Sequence, residues 1–214
     1  MGFICGIDEA GRGPVMGPMV IAGVKISAEK EKEFEKLGIK DSKKIQPKKR
    51  EELYEKIISI VDDYSIIKLS PSEIDKNLSN AYMNLNWLEA ITTIKILEKL
   101  NAEKAYIDCP TANASKYYEY LKSRLKVKTE LVVEHKADVK YIASSAASIL
   151  AKVKRDNEIK KLKKKYGDIG SGYPSDEKTK YFLEKNVELP IFRKSWSTWQ
   201  KAKEKTKQQS LKGF

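Results

Sequence analysis

Apolar and polar positions along the chain change period several times, and each change marks an element. A short apolar run, FICGID at 3–8, ends in acid, and a second, β-branched run follows at 19–26, with a Gly/Pro-rich turn at 11–18 between them. These read as two neighbouring strands joined by a turn. Exposed helical character follows at 30–37. Pro47 opens a helix to about residue 61, with Leu53, Ile57, Ile58 and Val61 at helical spacing. A strand is predicted at 64–69. A helix with a clear stripe of Leu85, Leu88, Ile91, Ile94, Ile96 and Leu97 is predicted over 85–100, capped upstream by Ser72 or Asn80.

From there strand and helix alternate: strand 105–109, stopped by Pro110; helix 114–125; strand 129–134; and one long helix over 138–166. The first half of that helix is small and apolar, the second strongly basic. Alternation at this spacing predicts an α/β sheet with parallel members. A Gly-rich loop at 167–174 and helices at 175–185 and 197–205 complete the chain, and the final residues read as a solvated tail.

Composition narrows the function. Lys and Arg number 42 against 30 Asp and Glu, a net charge of +12 over 214 residues, which favours a polyanionic partner. No apolar run nears the ~18–20 residues of a membrane span. Acids at positions 8 and 9 do not suit a secretory leader, so the expectation is a cytoplasmic protein with no membrane association. Cys5 and Cys109 are too few for a disulfide framework or a four-cysteine zinc site, and His135 is the one histidine.

The carboxylates carry the chemistry. Asp8 and Glu9 sit where the first strand runs out, Asp108 near the end of another, and Asp138 after a third. Ligands collect at strand ends in α/β sheets. Acids converging there repel unless a proton or cation relieves them. Oxygen-only ligands favour Mg²⁺ or Mn²⁺, and two such ions clamp the attacking and leaving oxygens of a phosphoryl transfer. The competing reading is four caps and surface charges, with Asp138 as an N-cap. A dinucleotide-loop reading of Gly11, Gly13 and Gly17 fails, because the spacing is GxGxxxG and a strand follows where a helix is required.

The run GIDEAGRGPVMGPMVIAGV at 6–24 resembles the opening motif of type 2 ribonucleases H. DSK at 41–43, YIDCP at 106–110, HKAD at 135–138, SAASILAKVKRD at 145–156, GSGYPSD at 170–176 and RKSW at 193–196 continue the resemblance in order. The archaeal form of ribonuclease HII fits best. Type 3 enzymes share this core but carry a further domain ahead of a motif that here begins six residues in.

The resemblance implies a ribonuclease H-like mixed five-stranded sheet flanked by helices, with a small helical C-terminal extension. The expected domains are 1–168 for catalysis, 169–205 for the extension and 206–214 for a flexible tail. It implies two-metal hydrolysis of the RNA strand of RNA/DNA hybrids, leaving 3′-hydroxyl and 5′-phosphate. It also implies incision 5′ of single ribonucleotides embedded in duplex DNA. The catalytic, metal-binding carboxylates fall on Asp8, Glu9, Asp108 and Asp138. Gly11, Arg12 and Gly13 would read the ribose 2′-hydroxyl through their backbone, the group that separates RNA from DNA. Tyr173 would stack at the RNA–DNA junction, and Arg12 and Lys43 would contact phosphate.

Bland alternatives stand beside these: glycines serving only a turn, a tyrosine anchoring its loop, the basic stretch at 152–165 as a solvated helix face. Cys109 reads as a small core residue and His135 as a packed structural histidine, with substrate orientation or proton transfer beside Asp138 as its other reading. Gln208, Leu211 and Phe214 resemble the Q-x-x-L-x-x-F peptide by which replication and repair enzymes bind sliding clamps; the alternative is chance spacing in a tail. The rival functions are a non-catalytic nucleic-acid-binding protein and another nuclease on the same fold. A monomer is expected.

Overall fold

A computed structural model describes residues 2–39 and 45–211, with side chains as far as Gln208. The described residues fall into two compact units, one of Met1–Ala10, Val20–Lys68 and Leu85–Lys154, the other of Gly11–Met19, Leu69–Asn84 and Arg155–Phe214.

The first unit is built on a five-stranded sheet. In chain order its strands are β1 (Phe3–Ala10), β2 (Met19–Ser27), β3 (Asp63–Leu69), β4 (Lys104–Asp108) and β5 (Glu130–Glu134). The spatial order is β3-β2-β1-β4-β5. β1 runs antiparallel to β2, from Phe3 opposite Ser27 to Ala10 opposite Val20, and parallel to β4; β4 in turn is parallel to β5. The sheet is therefore mixed and five-stranded, as expected.

β2 is buried along almost its whole length because both its faces are covered. Val20, Ala22, Val24 and Ile26 pack with Phe34 of α1 (Glu31–Lys36), Leu53 and Ile57 of α2 (Pro47–Ile60), and the small residues of a helix beginning at Ile142. On the opposite face, Gly23 lies against Ile96 and Leu100 of the next long helix.

A helix not expected from the pattern, α3 (Pro71–Leu78), precedes that long helix, α4 (Leu85–Leu100). Its start is nevertheless written locally: Ser70 and Glu73 form a reciprocal capping box, with Pro71 at the first helical position. After β4 comes α5 (Ala114–Lys122), capped by Asn113.

The helix predicted over 138–166 is two helices, α6 (Ala137–Lys140) and α7 (Ile142–Tyr166). The break is Tyr141, whose backbone is extended. Its ring stacks on Tyr106 at 3.9 Å between centroids and its hydroxyl donates to Glu134 at 3.1 Å. A continuous helix would not carry the ring to both partners.

The second unit holds α3, the basic half of α7, α8 (Glu177–Lys185), α9 (Ser197–Leu211) and the 11–19 loop. Its core joins Val15, Met16, Ile159, Ile169, Leu183, Ile191 and Phe192, with Trp196 and Trp199 partly buried against it. α9 runs to Leu211, beyond the expected end at 205. Ala202 is buried and Thr206 Oγ1 donates to the Ala202 carbonyl, so packing carries the helix on. No described helix is long and apolar enough to cross a membrane.

Candidate functional site

β1 and β4 are parallel with Ile7 opposite Ile107. Continuing that register by one residue sets Asp8 beside Asp108. Residues sharing a rung of a sheet point to the same face, so two carboxylates sit side by side at the C-terminal ends of adjacent strands. Asp8 is 5% exposed. Burial first, then the charges of Glu9 and Asp108, push its carboxyl well above the ordinary carboxylate range. The Ser148 hydroxyl and the Glu9 amide, which donates to Asp8 Oδ1 at 2.7 Å, oppose that shift only in part.

Asp138 is positioned by a different route. Lys136 takes a left-handed backbone, φ 59°, unusual for a residue with a side chain, and turns the chain sharply from β5 into α6. The Ala137 amide then donates to Asp108 Oδ1 at 2.8 Å. Asp138 follows within α6, 1% exposed, so it is not the helix cap that the pattern offered as an alternative. The Ser145 hydroxyl donates to the Asp138 carbonyl.

Close packing of α7 on β1 is what makes this arrangement compact. A Cβ on Gly6 would fall 2.0 Å from the Ala143 carbonyl carbon and 2.1 Å from the Ser144 nitrogen. Only glycine admits the helix there. Ser144 donates to the Tyr106 carbonyl at 2.8 Å, clamping α7 to β4 as well.

Glu134 stands opposite Asp108 in β5, yet Lys140 and Tyr141 bond to it and hold its carboxyl below the usual range. It is a neutralised neighbour of the acidic group. Among the described residues, no three Asp, Glu, His or Cys side chains stand as a ready-made ion cage.

In the second unit, Gly11, with φ 83°, would bring a Cβ within 2.8 Å of the Pro18 carbonyl. Gly13 lies against the Tyr173 ring, where a Cβ would touch at 3.4 Å. The expected GRG segment and Tyr173 are thus side by side. Tyr173 is 43% exposed, with the Arg155 guanidinium 5.7 Å from its ring centroid. Its loop is tied by Asp176, which accepts from the Ser171 and Lys178 amides; the Ser171 hydroxyl first, and then these amides, hold its carboxyl down to about 2.

One expectation needs correction and three fall outside the described residues. His135 is exposed in the turn after β5, where no element covers it, so it is not a packed histidine. Lys43, the Leu211 side chain and Phe214 lie outside the described residues, whereas Gln208 is exposed on α9. Cys109 is buried, with its thiol donating to the Thr111 carbonyl at 3.2 Å, as a small core residue does. Asp75 is not marked by the sequence pattern, while Ser148 lies only within the 145–156 run and Arg193 and Trp196 only within RKSW, each without a role. A guanidinium and an indole in an otherwise polar stretch were the available signal.

The sequence model of the Ribonuclease HII family matches residues 5–199. The chain belongs to the ribonuclease HII family. A ribonuclease HII of Thermococcus sibiricus is 49% identical over 207 residues, covering 94% of this chain and 91% of its own. The crystal structure of ribonuclease H2 from Pyrococcus horikoshii superposes with a TM-score of 0.89 at 41% identity, over 96% of this chain and 99% of that one. Ribonuclease HII from Archaeoglobus fulgidus, solved in complex with PCNA, gives a TM-score of 0.83 at 39% identity, over 91% and 95%.

Proposed function

We infer that this ribonuclease HII family member is a divalent-metal-dependent endoribonuclease that hydrolyses the RNA strand of RNA/DNA hybrids. Membership of the family supports this activity. We extend the reading to incision 5′ of a single ribonucleotide in duplex DNA, leaving 3′-hydroxyl and 5′-phosphate.

The observation that carries it is the pairing of Asp8 and Asp108 at parallel strand ends, with Asp8 buried under the charge of its acidic neighbours. Such a group is costly without a cation, and its all-oxygen donors suit a hard one. A closed protein cage is not required. Mg²⁺ keeps several waters and takes one or two carboxylates plus substrate phosphate oxygens. Asp8, Glu9, Asp108 and Asp138 are the residues we assign to hold the ions. Bound there, divalent ions would neutralise the carboxylates and stabilise charge on the attacking and leaving oxygens. The chain itself supplies orientation: Ser148 and the Glu9 amide fix Asp8, and the Ala137 amide fixes Asp108.

The GRG segment reads the ribose 2′-hydroxyl, and Tyr173 presents an exposed ring for stacking at the junction. Arg12 and Lys43 are assigned to phosphate. A sliding clamp would bind through Gln208, Leu211 and Phe214, a reading supported by the Archaeoglobus fulgidus relative solved with PCNA. We retain 1–168 as the catalytic domain, 169–205 as the extension and 206–214 as the clamp-binding segment. The working form is taken as a monomer in the cytoplasm, consistent with two free thiols.

The test is a duplex carrying one ribonucleotide, incubated with Mg²⁺, with Mn²⁺ or with EDTA, beside an all-DNA duplex. Metal-dependent cutting of the ribonucleotide strand alone is expected. Binding without cutting would indicate a non-catalytic protein, and cutting of the all-DNA duplex another nuclease; either overturns the reading.

A further inference from the structure

The RKSW stretch at 193–196 lies far in sequence from the GRG segment, yet it holds that segment's acceptors. Arg193 is fully buried. Its Nη2 donates to the Gly11 carbonyl at 2.6 Å, Nη1 to the Arg12 carbonyl at 2.9 Å and Nε to the Gly17 carbonyl at 3.0 Å. Trp196 Nε1 donates to the Gly13 carbonyl at 3.2 Å. Every carbonyl of Gly11-Arg12-Gly13 is therefore gripped from the protein side.

The anchor is itself anchored. The Arg193 amide donates to the Val15 carbonyl at 2.8 Å. Asp75 of α3 accepts from the Lys194 amide at 2.8 Å, the Ser195 amide at 2.9 Å and the Ser195 hydroxyl at 2.6 Å. The indole ring of Trp196 also stacks under the guanidinium, 4.8 Å from its centroid.

Peptide planarity turns this into a statement about recognition. All described peptide bonds are trans, so each amide N–H points opposite the carbonyl of the residue before it. Fixing the Gly11 and Arg12 carbonyls on Arg193 aims the Arg12 and Gly13 amides the other way. We propose that Arg193, supported by Trp196, is a positioning residue that sets ribonucleotide specificity, by locking the GRG peptide planes so that the Arg12 and Gly13 amides face the ribose. This rests on the reading of GRG given above.

Only arginine suits the place. Its rigid fork reaches three carbonyls at once, whereas lysine offers a single point of attachment. Burying a guanidinium among carbonyls is costly. Desolvation and the neighbouring Arg155 bring its pKa down to about 9, which still leaves it cationic at neutral pH. A protein that needed only a packed loop would do better with an apolar side chain.

The experiment compares Arg193→Lys with the wild type. The readouts are KM for a duplex with one ribonucleotide and the inhibition constant of the matching all-DNA duplex as competitor. KM is expected to rise at least tenfold while the inhibition constant stays within about twofold, since phosphate contacts do not depend on the 2′-hydroxyl. Parallel rises in both would mark a merely structural role and overturn the proposal, as would no change in either. Trp196→Phe, which keeps an aromatic ring but loses the indole N–H donor, tests the same split if Arg193→Lys fails to fold. It is expected to raise KM a few-fold, again without moving the inhibition constant. A wild type that does not favour the ribonucleotide duplex overturns the functional reading and this inference together. A discriminating wild type with equally discriminating variants overturns this inference alone.

Discussion

Gly6→Ala is the sharpest probe of how the acidic site is assembled. The added Cβ would lie 2.0, 2.1 and 2.3 Å from Ala143 C, Ser144 N and Ala143 O, all backbone atoms of α7. No rotamer change relieves a backbone clash, so the helix must retreat from β1. Ordinary contact begins near 3.4 Å, which calls for a shift of roughly 1.4 Å. Overpacking of this kind costs about 1–3 kcal/mol, and a rigid obstacle belongs at the upper end. For a chain of this size that lowers Tm by roughly 4–12 °C.

Activity should fall further than stability. α7 carries Ser148, which orients Asp8, and misplacing reacting groups by about 1 Å costs on the order of 100-fold. Thermal unfolding followed by circular dichroism, with single-turnover cleavage of the ribonucleotide duplex, reads both quantities. Gly2→Ala is the control, since nothing lies within 4 Å of a Cβ there. A Gly6→Ala protein melting within about 2 °C of wild type and cutting at full rate would refute the packing argument.

Asp8→Asn should abolish cleavage yet raise the melting temperature of the metal-free protein at neutral pH. The folded state holds the Asp8 proton above its ordinary value of 3.8, so the wild type loses stability as pH rises through the window above 3.8. The advantage of Asn should therefore shrink toward nothing as pH falls to that value; an advantage independent of pH in EDTA melts would sink the account. Tyr173→Ala should reduce incision at a single ribonucleotide more than cleavage of a long hybrid, compared as kcat/KM, and equal losses would reject the junction role. Removal of 206–214 should abolish capture by a sliding clamp in a pull-down while sparing cleavage of short duplexes, and undiminished capture would dismiss the tail reading.

Much of this protein is written locally. Apolar, β-branched runs marked the five strands and helical spacing marked most helices, because burial leaves its pattern in the local sequence. The carboxylates were visible as acids at the ends of apolar runs, and their family resemblance gave them roles. Other features were settled only by contacts between residues distant in sequence. Tyr141 breaks a helix-forming stretch because Tyr106 and Glu134 claim its side chain. Asp8 and Asp108 become neighbours through a strand register 100 residues apart in the chain. Arg193 reaches the Gly11 carbonyl across 182 positions. A local pattern reports which face of an element is buried; which partner lies against it depends on register, close approach and hydrogen bonds that exist only once the chain has folded.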